Sequence, residues 1–331
     1  MKRFVGRQLI LVGQALVAVP VLLAVVPLWL LPWNAALALG RTYGLAASLC
    51  YRPGWRTAQI NLRRFHGASM SRAQARQRAR QVFGNMGQAI AEGLQFARRY
   101  AHGAPGWDRR IEIEDPDLHQ QTLADPRTKV FVTAHHGSWE MALMVAGLLP
   151  GNGAALAREI DNPFIDRLLR WARRPSVPCI DKRGGASGAL EVLRSGRHVA
   201  MLLDENAGYK GVWVDFLGRP ASTHRTAALL SVHTGSPIVA GVLVRRPGGR
   251  YLYRLAVVEP TIGPDAVADA TRKTTAILAR WVGQDPFQWR WIHWRWKTRP
   301  DGSEEQYRAR DVRACFELAP VGERLQEEPR S

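Results

Sequence analysis

From residue 129 onward the sequence alternates between β-rich runs and helical patterns, and this alternation limits the possible folds more than any other feature. The β-rich runs are KVFVTA (129–134), HVAMLLD (198–204), PIVAGVLV (237–244) and YLYRLAVVE (251–259). The helical patterns between them cover 139–149, 163–174, 186–196 and 226–235. Such alternation predicts an α/β fold, an αβα sandwich with a largely parallel central sheet. The run VWVDFLG (212–218) predicts a further strand or one arm of a hairpin.

The N-terminal segment 8–40 contains no charged residue. A membrane-spanning helix needs about 20 apolar residues, so this segment is long enough for an N-terminal membrane-anchor helix. Its prolines, Pro20, Pro27 and Pro32, favour a kinked span or a re-entrant hairpin over one straight helix. A cleavable signal peptide is the alternative, because ALA at 36–38 resembles a cleavage site. The apolar core of a signal peptide is only about 7–15 residues long, which favours an uncleaved anchor.

The expected organisation is an anchor over 1–41, one catalytic domain over 42–310 and a polar tail over 311–331. Basic residues flank the uncharged segment on both sides and are more numerous after it. The positive-inside tendency therefore predicts an inner-membrane protein whose main domain lies on the cytoplasmic face.

The charge balance indicates anionic partners. The chain has 46 Lys and Arg against 28 Asp and Glu, a net charge of +18. A surplus of this size is typical of proteins that meet nucleic acid, an anionic membrane surface, or acidic carrier proteins and phosphorylated substrates. The three cysteines, Cys50, Cys179 and Cys315, lie far apart without a CxxC pair and are expected to be reduced thiols.

The tryptophan-rich run QWRWIHWRWKTRP (288–300) alternates aromatic and basic residues. That pattern occurs in proteins that stack single-stranded nucleic acid, and it also occurs in a strand with two aromatic faces. Next to a membrane anchor, tryptophan with arginine suits a lipid interface better, so nucleic acid is not an expected partner.

The candidate site is TAHHGSWE (133–140), which follows the first β-rich run. Gly137 and Ser138 supply a turn and a helix N-cap, which places Glu140 in the first helical turn and His135 on the turn before it. A carboxylate that accepts one imidazole N–H leaves the other nitrogen free to act as a general base. The histidines of the chain lack the spacing of metal ligands, and the GxSxG motif of serine hydrolases is absent. From the residues alone, a capped strand end with incidental histidines remains open.

The order of the downstream motifs resembles the bacterial late lipid A acyltransferases of the lysophospholipid acyltransferase-like superfamily. The His-x4-Asp/Glu motif of that superfamily corresponds to His135 and Glu140. Next come LAREIDNPFIDRLLRWAR with Arg158 and VAMLLDEN with Asp204. The runs VWVDFLGRPASTHRTAALLSVHTG and PFQWRWIHWRWKTRP close the series. The resemblance covers roughly residues 55–300.

This resemblance implies a glycerol-3-phosphate acyltransferase-like fold and an O-acyltransferase of lipid A and lipopolysaccharide biosynthesis. The donor would be a thioester of acyl carrier protein or CoA, and the acceptor a hydroxyl of an anionic glycolipid in the membrane. His135 would be the general base and Glu140 its orienting partner. The substrate-binding residues would be Arg158, Asp204, Ser222, Thr223 and Arg225. No metal or cofactor is required, because a thioester is already activated.

Two departures from the family pattern leave the acceptor open. STHRT (222–226) stands where many relatives have a threonine run, and Ser138 stands where asparagine is common. Phosphatidylinositol mannoside and lysophospholipid therefore remain alternative acceptors. The competing class of function is a non-catalytic membrane protein that binds lipid or an acyl carrier.

Overall fold

The computed structural model describes residues 2–100, 104–148, 153–157, 160–174, 176–180 and 185–317. The strands in these residues are β1 (Ile111–Ile113), β2 (Val130–Thr133), β3 (Gly153–Leu156), β4 (Cys179–Ile180), β5 (His198–Leu202), β6 (Val212–Asp215), β7 (Pro220–Thr223), β8 (Ile238–Arg246) and β9 (Arg250–Val258). The helices are α1 (Lys2–Leu30), α2 (Trp33–Cys50), α3 (Arg52–His66), α4 (Arg72–Tyr100), α5 (Pro116–Ala124), α6 (Trp139–Leu148), α7 (Pro163–Arg173), α8 (Gly185–Arg194), α9 (Thr226–Thr234), α10 (Ala266–Gln284) and α11 (Ala309–Glu317).

Within the described residues, seven strands form one sheet in the order β1-β9-β8-β2-β5-β3-β4. Strands β8, β2, β5, β3 and β4 are mutually parallel, while β9 runs antiparallel to β8 and parallel to β1. The predicted α/β fold with a mostly parallel central sheet is therefore confirmed. The run 212–218 contributes one arm of a separate antiparallel hairpin, β6–β7.

The sheet is covered on both faces, as the sandwich prediction requires. Val130 and Val132 pack in one cluster with side chains of α8, α9 and α10. Phe131, which points the opposite way, packs with side chains of α6. All four residues of β2 are buried, which is typical of a parallel strand covered on both faces.

Three strands of the seven-stranded sheet were not predicted. β1, β3 and β4 are two to four residues long, and β3 reads GAAL, which lacks the β-branched and aromatic residues that mark a strand. These segments are strands because they pair with neighbouring strands in the folded sheet. The local sequence does not show which segments pair.

The predicted N-terminal membrane-anchor helix is not supported, because none of the helices described here is long and apolar enough to cross a membrane. Instead α2 packs tightly on α4 through glycines: a Cβ added at Gly87 would lie 2.1 Å from the Gly40 carbonyl oxygen. Gln95 of α4 donates side-chain hydrogen bonds to the carbonyls of Leu28 and Leu31 at the end of α1. The boundary predicted at residue 41 falls inside α2.

The C-terminal part of the described chain also packs on the domain. Val312 of α11 is buried, so residues 311–317, predicted to begin a polar tail, form a packed helix. Residues 318–331 lie outside the described residues. In the tryptophan-rich run, Trp289, Trp291 and Trp296 are buried in one cluster, in turns rather than in a strand.

Candidate active site

The turn after β2 presents His135 at the carboxyl edge of the sheet. Gly137 has φ of 61°, and a Cβ there would lie 2.0 Å from the Leu243 carbonyl oxygen. Both the backbone conformation and the lack of space therefore require glycine at this position. Ser138 N–H donates to the same Leu243 carbonyl at 2.8 Å. Helix α6 then begins at Trp139. Backbone contacts with β8 therefore fix the direction in which His135 leaves the strand.

The hydrogen-bond partner of His135 is Asp204, which follows the neighbouring strand β5. His135 Nδ1 lies 2.8 Å from Asp204 Oδ1, and the His135 backbone N–H donates to Oδ2 at 2.8 Å. Because a carboxylate only accepts, Nδ1 carries the proton and Nε2 keeps its lone pair. Nε2 makes no hydrogen bond with the described residues, so it is available as a base.

Asp204 is nearly inaccessible, at 3% exposure, and is held by a third hydrogen bond. Trp289 Nε1–H donates to Asp204 Oδ2 at 2.7 Å. Burial alone would raise the pKa of Asp204, but the His135 charge and hydrogen bond, Arg290 and the Trp289 indole lower it well below its ordinary value. Asp204 therefore stays ionised and fixes the tautomer and orientation of the imidazole.

The predicted pairing of His135 with Glu140 is wrong. Glu140 lies in the first turn of α6 as expected, but its carboxylate accepts two hydrogen bonds from Arg173 of α7, at 2.6 and 3.0 Å. Burial raises the pKa of Glu140, and the Arg173 charge and hydrogen bonds outweigh this effect, so the net shift is downward. A guanidinium satisfies both carboxylate oxygens at once, which an imidazole cannot do.

A cavity of about 600 Å³ opens in front of His135. Its apolar wall includes Leu156, Leu169, Met201 and Leu203, and its polar groups include Arg173, Glu205, His224 and Arg290. Apolar walls with a few convergent polar groups are typical of a small-molecule site, and this combination suits an amphiphilic substrate.

Asp204, predicted to bind substrate, is instead the buried hydrogen-bond partner of His135. The other predicted substrate-binding residues fall into three groups. Arg158 lies outside the described residues. Ser222 and Thr223 are fully buried and do not line the cavity: Ser222 donates to the Gly208 carbonyl, and Thr223 accepts from Arg295. Arg225, at the N-cap of α9, is exposed and also does not line the cavity. Thr223 ends β7, and α9 begins only at Thr226, so the predicted helix start at Ser222 and Thr223 is wrong.

Several side chains of the site were missed from the sequence. Arg173 is one of four arginines in or just after α7, and nothing in the local sequence marks it as the partner of Glu140. Arg290 pairs with Glu205 at the cavity wall, and both residues lay inside motifs that the family resemblance had already singled out. Trp289 belongs to the tryptophan-rich run, whose aromatic and basic alternation was the available signal.

His136 points away from the cavity. It is fully buried, and its Nε2–H donates to the Asp285 backbone carbonyl at 3.0 Å. Burial lowers its pKa to about 4, with Arg245 and Arg254 contributing in the same direction against Asp285. His136 is therefore a neutral part of the core.

An accessible histidine base at the edge of an α/β sheet, facing a cavity with apolar and charged walls, defines a site for an enzyme that acts on an amphiphile. The chain belongs to the bacterial lipid A biosynthesis acyltransferase family, whose model matches residues 9–298. It is an acyltransferase, and the resemblance inferred from the motif order is confirmed. A similar protein is the lipid A biosynthesis lauroyltransferase of Escherichia coli (strain K12), 28% identical over 209 residues, or 60% of this chain and 67% of that protein.

Proposed function

We propose that this acyltransferase moves a fatty acyl chain from a thioester, of acyl carrier protein or CoA, to a hydroxyl of a lipid A-type glycolipid, with His135 as general base. The observation that carries the proposal is the His135–Asp204 pair, which leaves Nε2 unpaired at a cavity with both apolar and charged walls. Membership of the lipid A acyltransferase family supports the acceptor class.

In the proposed reaction, His135 Nε2 takes the proton of the acceptor hydroxyl as its oxygen attacks the thioester carbonyl carbon. The tetrahedral intermediate then collapses, the carbon–sulfur bond breaks, and the imidazolium returns the proton to the leaving sulfur. Asp204 stabilises the imidazolium between these two steps. Positioned base catalysis of this kind contributes a factor of about 100 to 10,000 in rate.

Glu140 has a different role in this proposal from the one expected from sequence. It holds the Arg173 guanidinium at the cavity wall, where a cation can meet a phosphate of the acceptor or of the donor. Arg158, next to the cavity residue Ala157 in sequence, remains a prediction as a phosphate or oxyanion ligand. The membrane is the proposed source of the acceptor, with the catalytic domain on its cytoplasmic side.

The decisive experiment is acyl transfer by the full chain, with carrier-protein and CoA thioesters as donors and a lipid A precursor, a phosphatidylinositol mannoside and a lysophospholipid as acceptors. We expect His135→Ala and Asp204→Asn each to lower kcat about 100-fold or more, with a smaller change in KM. His233→Gln is the matched control, because His233 is exposed on α9 away from the cavity.

Transfer that survives both His135→Ala and Asp204→Asn would disprove the mechanism. Transfer to phosphatidylinositol mannoside or lysophospholipid but not to the lipid A precursor would disprove the acceptor assignment.

A further inference from the structure

One corner of the cavity carries polar side chains that take no part in the proposed proton transfer. Glu205, His224 and Arg290 line the same cavity as His135. Arg290 Nη2 donates to Glu205 Oε1, so these two side chains form an ion pair. We call Glu205, His224 and Arg290 the polar corner.

The backbone holds the polar corner in a fixed position relative to the base. Glu205 directly follows Asp204, which binds the imidazole, and Arg290 directly follows Trp289, which binds Asp204. The Arg290 backbone N–H also donates to the His135 carbonyl at 3.0 Å. A substrate group that binds at the polar corner therefore lies close to the base.

The ion pair leaves hydrogen-bonding groups unused. Among the described residues, Glu205 Oε2 has no hydrogen-bond partner, and neither have Nε and Nη1 of Arg290. The Glu205 side chain is 37% exposed, which leaves its second oxygen accessible from the cavity. His224 makes no hydrogen bond with the described residues either, and a neutral imidazole has one donor and one acceptor nitrogen. Unused donors and acceptors thus lie side by side.

These groups suit a hydroxyl better than a phosphate. A hydroxyl both donates and accepts, so it can donate to Glu205 Oε2 while it accepts from Arg290 or His224. A phosphate only accepts, and the Glu205 carboxylate repels its charge. Burial raises the pKa of Glu205, but the charges of His135, Arg290 and His293 outweigh this effect and lower it, so the carboxylate is ionised.

We propose that the polar corner binds sugar hydroxyls of the acceptor headgroup, close to the hydroxyl that is acylated, and thereby selects a carbohydrate-containing acceptor. The inference rests on the proposed function for the glycolipid acceptor. It also gives a role to His224, which belongs to the run STHRT that departs from the family pattern.

The test is isothermal titration calorimetry of the full chain, without any acyl donor, against four soluble probes. They are octyl glucoside, octyl phosphate, pantetheine and 2-octyloxytetrahydropyran, which keeps the ring of octyl glucoside without its hydroxyls. We expect the wild type to bind octyl glucoside about tenfold or more tightly than the ring analogue, because hydrogen bonds to charged groups are the stronger ones.

Glu205→Gln and Arg290→Gln should each remove most of this preference for octyl glucoside. The matched control is Glu304→Gln. Glu304 is a carboxylate of similar side-chain exposure, 42%, that pairs with Lys297, and neither residue lines the cavity. The control should keep the preference of the wild type.

Equal binding of octyl glucoside and the ring analogue by the wild type would overturn the inference, and so would a preference that both variants retain. If the polar corner bound phosphate instead, Glu205→Gln would tighten and Arg290→Gln would weaken the binding of octyl phosphate, and these opposite effects would also refute it. Pantetheine that binds more tightly than octyl glucoside, and is lost in both variants, would assign the polar corner to the donor and overturn the inference.

Glu205→Asp replaces Glu205→Gln if the latter does not fold. It keeps the charge but withdraws the carboxylate by one methylene, and it should also lose the preference. The titrations contain no donor and are therefore independent of catalysis. Hydroxyl-dependent binding with no transfer to any acceptor would refute the proposed function alone. Transfer to the glycolipid without hydroxyl-dependent binding would refute this inference alone.

Discussion

Asp204 and His136 are both buried next to His135, but they hold opposite charge states. Asp204 is buried among donors and a cation, and therefore stays charged. His136 is buried against a single carbonyl with two arginines nearby, and therefore stays neutral. The charge state of each follows from the partners that its backbone position provides.

His136 gives the protein a stability that depends on pH. Its pKa is 6.5 in the unfolded chain and about 4 in the folded protein. The unfolded chain therefore takes up a proton as pH falls through 6.5, while folded His136 stays neutral. The free energy of unfolding should fall between pH 6.5 and 4 by about 3 kcal/mol and should be unaffected by this group above pH 6.5.

His136→Gln, which retains a donor for the Asp285 carbonyl, removes this contribution. We expect the free energy of unfolding of the wild type, relative to this variant, to decrease as pH falls from 6.5 to 4. Urea denaturation at a series of pH values measures it. Parallel curves for the two proteins over that range would refute the prediction.

Among the elements of secondary structure, α4 and β8 together hold the turn that carries His135. Glu92 of α4 is fully buried and accepts two hydrogen bonds from Arg245 of β8, at 2.6 and 2.8 Å. Arg245 also donates to the Gly137 carbonyl at 2.9 Å, two residues after His135. A buried ion pair thus connects α4 to the loop that carries His135.

Glu92→Gln leaves the Arg245 charge buried without its counterion. Loss of one partner of a buried pair typically costs about 3–5 kcal/mol, so we expect a decrease of that size in the free energy of unfolding. Tyr251→Phe is the matched control, because it removes one hydrogen bond to the Glu92 carboxylate but neither charge of the pair, and should cost about 1.5–3 kcal/mol. Guanidinium denaturation of both variants measures the difference, and equal losses would contradict the charge argument.

For the molecule as a whole, the sequence predicts where the site lies better than it predicts which carboxylate pairs with His135. The sequence predicts His135 just after one strand and Asp204 at the end of another, and in a parallel sheet those ends lie on one edge. The sequence pairs His135 with Glu140 because Glu140 lies in the first turn of the next helix and fits the His-x4-Asp/Glu motif. The contact between His135 and Asp204 depends on how β5 packs beside β2, and the ion pair of Arg173 with Glu140 depends on how α7 packs. No local sequence pattern contains this information. Ser222 and Thr223 lie in the short hairpin strand β7, whereas the sequence predicts a helix start there.

The net charge of +18 gives a prediction at the same scale. Screening shortens the range of surface electrostatics to about 10 Å at 0.1 M salt and to about 3 Å at 1 M. Binding of the wild type to phosphatidylglycerol-containing vesicles should therefore weaken as salt rises, while the weaker binding to phosphatidylcholine should not. Sedimentation over a salt series measures this. Equal salt dependence for both lipids would rule out an electrostatic contribution.

The contacts of the run 288–300 with His135 and Asp204 have a consequence for biosynthesis. Trp289 binds Asp204, and the Arg290 backbone N–H donates to the His135 carbonyl at 3.0 Å. The last strand of the sheet, β9, ends at Val258, so a chain being translated contains the whole sheet before it contains these two residues. The proposed base and its carboxylate therefore gain these contacts only after the sheet has been synthesised, and we expect activity only once nearly all of the described chain has been made.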